Sequence, residues 1–140
     1  MSSPNVINGW YTVPWHVMFR DVDTFGHVNN AVFFSYFEHA RTRYWLELRG
    51  QSDIHEVTFI VARAECDFKA QIGLEPIELR VRIGEMRGSS FDFLNEIRKG
   101  DGTLAATGKV VAVVYDWKTQ SKVAISDELR QRVRAFQQEE

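Results

Sequence analysis

The stretch Arg20-Asp21-Val22-Asp23-Thr24-Phe25-Gly26-His27-Val28-Asn29-Asn30 concentrates groups capable of proton transfer just ahead of an apolar segment. A helix starting at Asn30 leaves its first amide N–H groups without intrahelical partners. Its macrodipole adds about half a positive charge at that end, so an oxyanion can be held there without a cationic side chain. Asp23 lies on the preceding loop, which can fold back to the same point, so a base and an oxyanion site can share one pocket. Asp21 has the same parity along an extended chain, and parity alone does not choose between the two carboxylates. His27 offers a ring to orient a substrate or Asn30. Such a pair suits attack on an acyl carbonyl, where a general base supplies about 10²–10⁴-fold and one oxyanion donor about 10²–10³-fold. The helix end favours an ionised Asp23, and burial against an acyl chain would oppose that.

These residues need a helix to aim at. No Gly or Pro occurs from Asn30 to Leu48, and Phe33, Phe37, Ala40, Tyr44 and Leu48 recur at steps of three and four, the spacing of one helical face. Asn29 or Asn30 can cap the start, Arg41, Arg43 and Arg49 lie toward the negative end, and Gly50 supplies a left-handed stop. Phe34 and Trp45 stand off the main stripe, so the helix is expected to be wrapped by a sheet. The rest of the chain alternates with period two. Strands are expected at Trp15 to Asp21, at Val57 to Phe68 with one dry face carrying Ala62, Ala64, Cys66 and Phe68, and at Ile77 to Ile83 paired through Gly88-Ser89 with Phe91 and Phe93. A further strand from Thr103 to Trp117 follows the turn Lys99-Gly100-Asp101-Gly102. Its run Val110-Val111-Ala112-Val113-Val114 is apolar on both faces, which places it centrally or at a subunit interface. A terminal helix from Ser126 to Phe136 carries Leu129, Val133 and Phe136 on one face. Four consecutive strands after one buried helix give an α+β fold with an antiparallel sheet.

The segment RDVDTFGHVNNAVFFSYFEHAR, residues 20 to 41, followed by VARAECDF at 61 to 68, resembles the hotdog-fold acyl-CoA thioesterases of the 4-hydroxybenzoyl-CoA thioesterase type. The resemblance implies an antiparallel sheet of about five strands wrapped around one long central helix, with a C-terminal helix added and residues 1–140 forming a single domain. It implies that Asp23 attacks the thioester carbonyl or activates water to do so, and that the backbone N–H at Asn30 receives the oxyanion. It further implies that Val61, Ala62 and Arg63 lie along the pantetheine arm and that Arg87, Ser89 and Ser90 contact nucleotide or phosphate. The resemblance implies a homodimer or a dimer of dimers, with the site between subunits. Relatives differ at the position of Asn30, so the acyl group is not transferable from any one of them. The rival readings are a non-catalytic acyl-CoA binding module on the same fold, and a hydratase using paired Asp and His.

Composition narrows the classes. The 140 residues suit one domain with a proper core. Lys plus Arg at 17 against Asp plus Glu at 19 leaves no cationic excess for a phosphate backbone, so nucleic acid is not an expected partner. No apolar run approaches the roughly 18 residues of a membrane span, and the first residues have no secretory pattern, so a cytoplasmic location is expected. The single Cys66 reads as a buried, inert thiol. His16, His27, His39 and His55 show no metal-binding spacing, and no metal or cofactor beyond the CoA of the substrate is expected. Ser35, Ser89 and Ser90 lie outside any nucleophile elbow. Glu38 and Arg41 read as an i,i+3 pair, with Glu38 a candidate second carboxylate, and Arg130, Arg132 and Arg134 read as a solvated helix face.

Overall fold

The computed structural model describes residues 3–51 and 57–138, so His55 lies outside the described residues. Strands β1 (Val6–Ile7) and β2 (Trp10–His16) lead into a 3-10 turn at Phe19–Asp21, then helix α1 (Asn30–Arg49). Strands β3 (Phe59–Phe68), β4 (Pro76–Met86), β5 (Ser90–Lys99), β6 (Leu104–Asp116) and β7 (Ser121–Lys122) follow, and α2 (Asp127–Phe136) closes the chain. The sheet is antiparallel in the order β1-β2-β4-β5-β6-β3, with β7 paired to β6. This α+β sheet wrapped on one long helix is the architecture implied by the resemblance to hotdog proteins.

Helix α1 forms where its local signals place it. The Asn29 side chain accepts the Ala31 N–H at 2.9 Å, and Gly50 closes the helix at φ 66°. Phe33, Tyr36, Phe37, Ala40, Tyr44, Trp45 and Leu48 are all buried. Trp45 stacks at 5.5 Å on Phe91 of β5, and Tyr44 meets Phe93 and Phe136 edge-on. One glycine sets how closely the helix approaches the sheet. Gly108 on β6 lies under the Phe37 ring, and a Cβ there would come within 2.6 Å of Phe37 Cζ and 3.0 Å of the Glu65 carbonyl oxygen. Glu47 ties the N-terminal segment to the helix, accepting from Tyr11 Oη at 2.6 Å, Asn5 Nδ2 at 3.2 Å and Ser3 Oγ. Gln137, just past α2, accepts from Ile83 N at 2.6 Å and donates to Ile83 O at 3.1 Å, which fastens α2 to β4.

Three expectations need correction. The first strand runs over Trp10–His16 rather than Trp15 to Asp21, and residues 19–21 turn instead of extending. Pro14 sits inside that strand opposite Glu78, where β1 no longer flanks it, so its missing N–H breaks no ladder. Strand β3 does not have the dry face expected of it. It is one of the sheet's two outer strands, its register shifts between Val61 and Arg63, and Val61 through Glu65 are exposed on both faces. Arg130 is half-buried rather than part of a solvated face, since its guanidinium donates to Arg87 O at 2.5 Å and to Met86 O at 3.4 Å, holding α2 to the β4–β5 hairpin. Val110 and Ala112 are buried, Val111 and Val113 half-buried, on a strand flanked by β5 and β3.

Candidate functional site

The loop between the 3-10 turn and α1 is built around Asp23. Its backbone N–H donates to His27 O at 2.9 Å and its carbonyl accepts from Gly26 N at 3.0 Å, closing a turn in which Gly26 takes φ 79°. Val22 pairs with Val28, and Val28 N donates to Ile72 O at 2.8 Å, so the loop is anchored at its base. The Asp23 carboxylate is exposed, and Oδ1 accepts from Phe25 N at 2.9 Å and His27 N at 3.4 Å. Oδ1 therefore uses loop amides rather than the helix-end amides expected beside it.

Asp23, His27 and Asn30 nevertheless share a cleft of about 350 Å³ with Phe25, Phe33 and Phe68. The first helical amides are partly consumed. The Asn29 side chain takes Ala31 N, and Val32 N donates to Asn29 O at 2.9 Å. Among the described residues no acceptor meets the Asn30 amide, which leaves one main-chain donor at the positive end of the helix. A carboxylate, an open amide and an aromatic wall in one cleft can bind a carbonyl group and deliver water or carboxylate to it.

The two acidic residues of the loop are sorted by the 3-10 turn, which breaks the parity that an extended chain would give them. Asp21 turns to the other side, where Oδ2 accepts from Tyr36 Oη at 2.8 Å and from Met18 N at 3.2 Å. Burial and this carboxylate raise the Tyr36 phenol far above its usual range, so it stays a donor at any working pH. Asp21 and Tyr36 line a second cleft of about 770 Å³ that follows α1 from Val32 to Thr42.

Val61 borders that larger cleft, Ala62 lies at the register shift of β3, and Arg63 pairs with Glu65 at 3.7 Å on the outer strand. Arg87, Ser89 and Ser90 form the β4–β5 turn. Arg87 donates to Asp92 Oδ1 at 2.7 Å and to Ser90 Oγ at 2.8 Å. They are not beside Asp23. Ser90 registers with Val113 and Val113 with Ile60, so this turn and residues 61–63 share one end of the sheet, and Phe68 and Asp23 occupy the other. Sequence reasoning missed Lys69 and Gln71, which line the Asp23 cleft from the far end of β3. No local pattern marks them, because only the sheet topology brings them there.

His39 packs its ring 4.2 Å from that of Trp15, and among the described residues neither His39 Nε2 nor Trp15 Nε1 has a hydrogen-bond partner. Burial, with the Arg43 charge, holds the His39 imidazole below its ordinary pKa of 6.5. The unfolded chain therefore binds this proton more readily, and stability falls as pH drops below about 6.5. Melting temperature measured from pH 7.5 to 5 is expected to decline, and His39→Gln to flatten the decline. An unchanged slope in the variant contradicts this. Cys66 is half-buried, with its thiol pushed up to about 11 by burial and Asp67. Among the described residues no group of three or more His, Cys, Asp or Glu side chains is placed to hold a metal, and no helix is long and apolar enough to cross a membrane. Glu38 is exposed and faces Arg41 rather than the Asp23 cleft.

The family model described as the thioesterase-like superfamily matches residues 17–133. A thioesterase from Thermus thermophilus, solved with coenzyme A and Zn, is 34% identical and superposes with a TM-score of 0.82 over 92% of this chain and 95% of that one. The uncharacterized protein YsmA of Bacillus subtilis is 31% identical over 115 residues, which is 80% of this chain and 77% of YsmA. A 1,4-dihydroxy-2-naphthoyl-CoA thioesterase from Synechocystis shares the fold at 19% identity and TM-score 0.74, covering 89% of this chain and 95% of that one.

Proposed function

The chain belongs to the thioesterase-like superfamily, and on that premise we propose that it hydrolyses an acyl-CoA thioester to the free acid and CoA. The observation that carries this reading is the cleft holding the Asp23 carboxylate with the unpaired Asn30 amide. Asp23 acts as base or nucleophile. As base it takes a proton from water while the water oxygen bonds to the thioester carbon and the C=O pair moves onto oxygen, held by Asn30 N–H. Collapse of that oxyanion expels CoA thiolate, which takes up the proton. His27 borders the reacting carbonyl, and no resident cofactor is needed.

The functional unit is a homodimer or a dimer of dimers. Val61 and Phe68 stand seven residues apart on β3, or roughly 23 Å at about 3.3 Å per residue. One protomer therefore cannot bring both to a single pantetheine arm near Asp23. Antiparallel pairing of two exposed β3 edges would set Val61, Ala62 and Arg63 of one copy beside the Asp23 cleft of the other, and would cover an outer strand that is otherwise an aggregation hazard. Arg87, Ser89 and Ser90 then serve the nucleotide phosphates, with Arg87 held by Asp92 and Ser90 and its Nη1 also 3.5 Å from the exposed Glu85 carboxylate.

A non-catalytic acyl-CoA binder is the second reading, favoured by one observation: Asp23 Oδ1 is occupied by its own loop amides. Thiol release measured on short, long and aromatic acyl-CoAs separates the two. Turnover of at least one class is expected, and light scattering at micromolar protein should give a dimer or tetramer. A monomer contradicts the shared site, and ligand-dependent stabilisation with no thiol released contradicts hydrolysis.

A further inference from the structure

The larger cleft contains a charge without a matching partner. Arg41, three turns into α1, has a side chain only 10% exposed. Among the described residues its one ionic neighbour is Glu38, at 3.6 Å and itself 71% exposed, too long for a hydrogen bond. Burial holds the guanidinium below its ordinary pKa, which reflects how little compensates its desolvation. A cation buried this deeply normally has a fork of acceptors around it.

The surroundings say what would complete it. Arg41 lines a cleft of about 770 Å³ whose other walls include Trp15, Val32, Phe59 and Val61. From Val32 to Arg41 the helix advances nine residues, roughly 14 Å at about 1.5 Å each, so the cleft is a long trough of mixed lining in which Arg41 is the buried cation and Arg20 an exposed one. The other acidic group on it, Asp21, is already engaged by Tyr36 and Met18. A planar guanidinium is matched in geometry by a carboxylate, which it can hold through two parallel N–H donors.

We infer that Arg41 and this trough form a subsite for an apolar acyl chain ending in a carboxylate, so that the acyl-CoA taken by this protein carries an acidic tail. The subsite rests for its link to turnover on the acyl-CoA reading above and on the paired β3 edges proposed there, which set the Val61 wall of this trough beside the Asp23 cleft of the other copy, but its binding chemistry can be read independently. Paired acyl-CoAs of equal length, octanoyl against suberyl and dodecanoyl against dodecanedioyl, give the test. The wild type should favour one carboxylate-ended member by about tenfold to a hundredfold in kcat/KM, and Arg41→Met should bring that ratio close to one. Arg41→Lys, which keeps the charge and loses the fork, should retain part of the preference.

Free suberate and dodecanedioate provide the arm that does not depend on hydrolysis. One of them should raise the melting temperature of the wild type and not that of Arg41→Met, even if no acyl-CoA is turned over. A preference that survives in Arg41→Met overturns the subsite, as does the absence of any carboxylate-dependent shift in the wild type. Conversion of the assembly to monomers by both Arg41→Met and Arg41→Lys also overturns it, because the missing acceptor would then belong to a second copy of the chain.

Discussion

Replacing Asp23 by Asn lowers kcat on the best acyl-CoA by about 10²–10⁴-fold, the range for removal of a positioned base, with little change in KM. The expected loss is chemical because the substitution keeps the loop intact. Asp23 Oδ1 accepts from Phe25 N and His27 N, and an asparagine carbonyl can accept both. What disappears is the negative charge and the ability to take a proton or to bond to the acyl carbon. Steady-state thiol release and the melting temperature are read on the same preparation. A melting temperature within a degree or two of wild type together with the rate loss is the predicted pair. Full activity in Asp23→Asn removes the mechanism, whichever of base or nucleophile is meant.

Gly108→Ala destabilises the fold by about 1–3 kcal/mol, the usual cost of overpacking a core. The new methyl would overlap the Phe37 ring and press on the Glu65 carbonyl. Phe37 is 1% exposed and packs against Phe34, so the ring cannot swing clear, and the strand backbone on the other side cannot yield without breaking its pairing with β3. Relief requires lifting α1 from the sheet, which also moves the Asn30 end of the helix. Thermal unfolding should show the loss directly. An unchanged melting temperature would mean that Phe37 relaxes at no cost and that the close approach of helix and sheet does not fix the site.

Local signals make much of this legible in the sequence. The capping Asn29, the apolar stripe and Gly50 define α1 to within a residue, because each acts within one helical turn. The Gly88-Ser89 hairpin and the Ser126 cap of α2 are legible for the same reason. Strand β2 is harder to place because its evidence is non-local. Pro14 looks like a break until β1 is seen to stop short of it. Strand β3 alternates as if one face were dry, yet it ends the sheet with β6 on one side only, and alternation does not reveal which edge of a sheet is open.

The site divides along the same line. Asp23, His27 and Asn30 are close in sequence and share a cleft, whereas Lys69, Gln71 and Phe68 reach it only through the order of the strands. Spacing alone reads Glu38 and Arg41 as an ordinary surface pair. The structure leaves Glu38 in solvent and buries Arg41, a distinction set by which side of α1 the sheet leaves uncovered.

CoA release under a large molar excess of acyl-CoA, followed together with ligand-induced melting shifts, separates turnover at Asp23 from binding alone. The wild type should release many thiols per chain, and Asp23→Asn almost none at the same occupancy. A saturable melting shift with no thiol beyond background, identical in the two proteins, would contradict hydrolysis at Asp23 and leave a binding protein on a thioesterase fold.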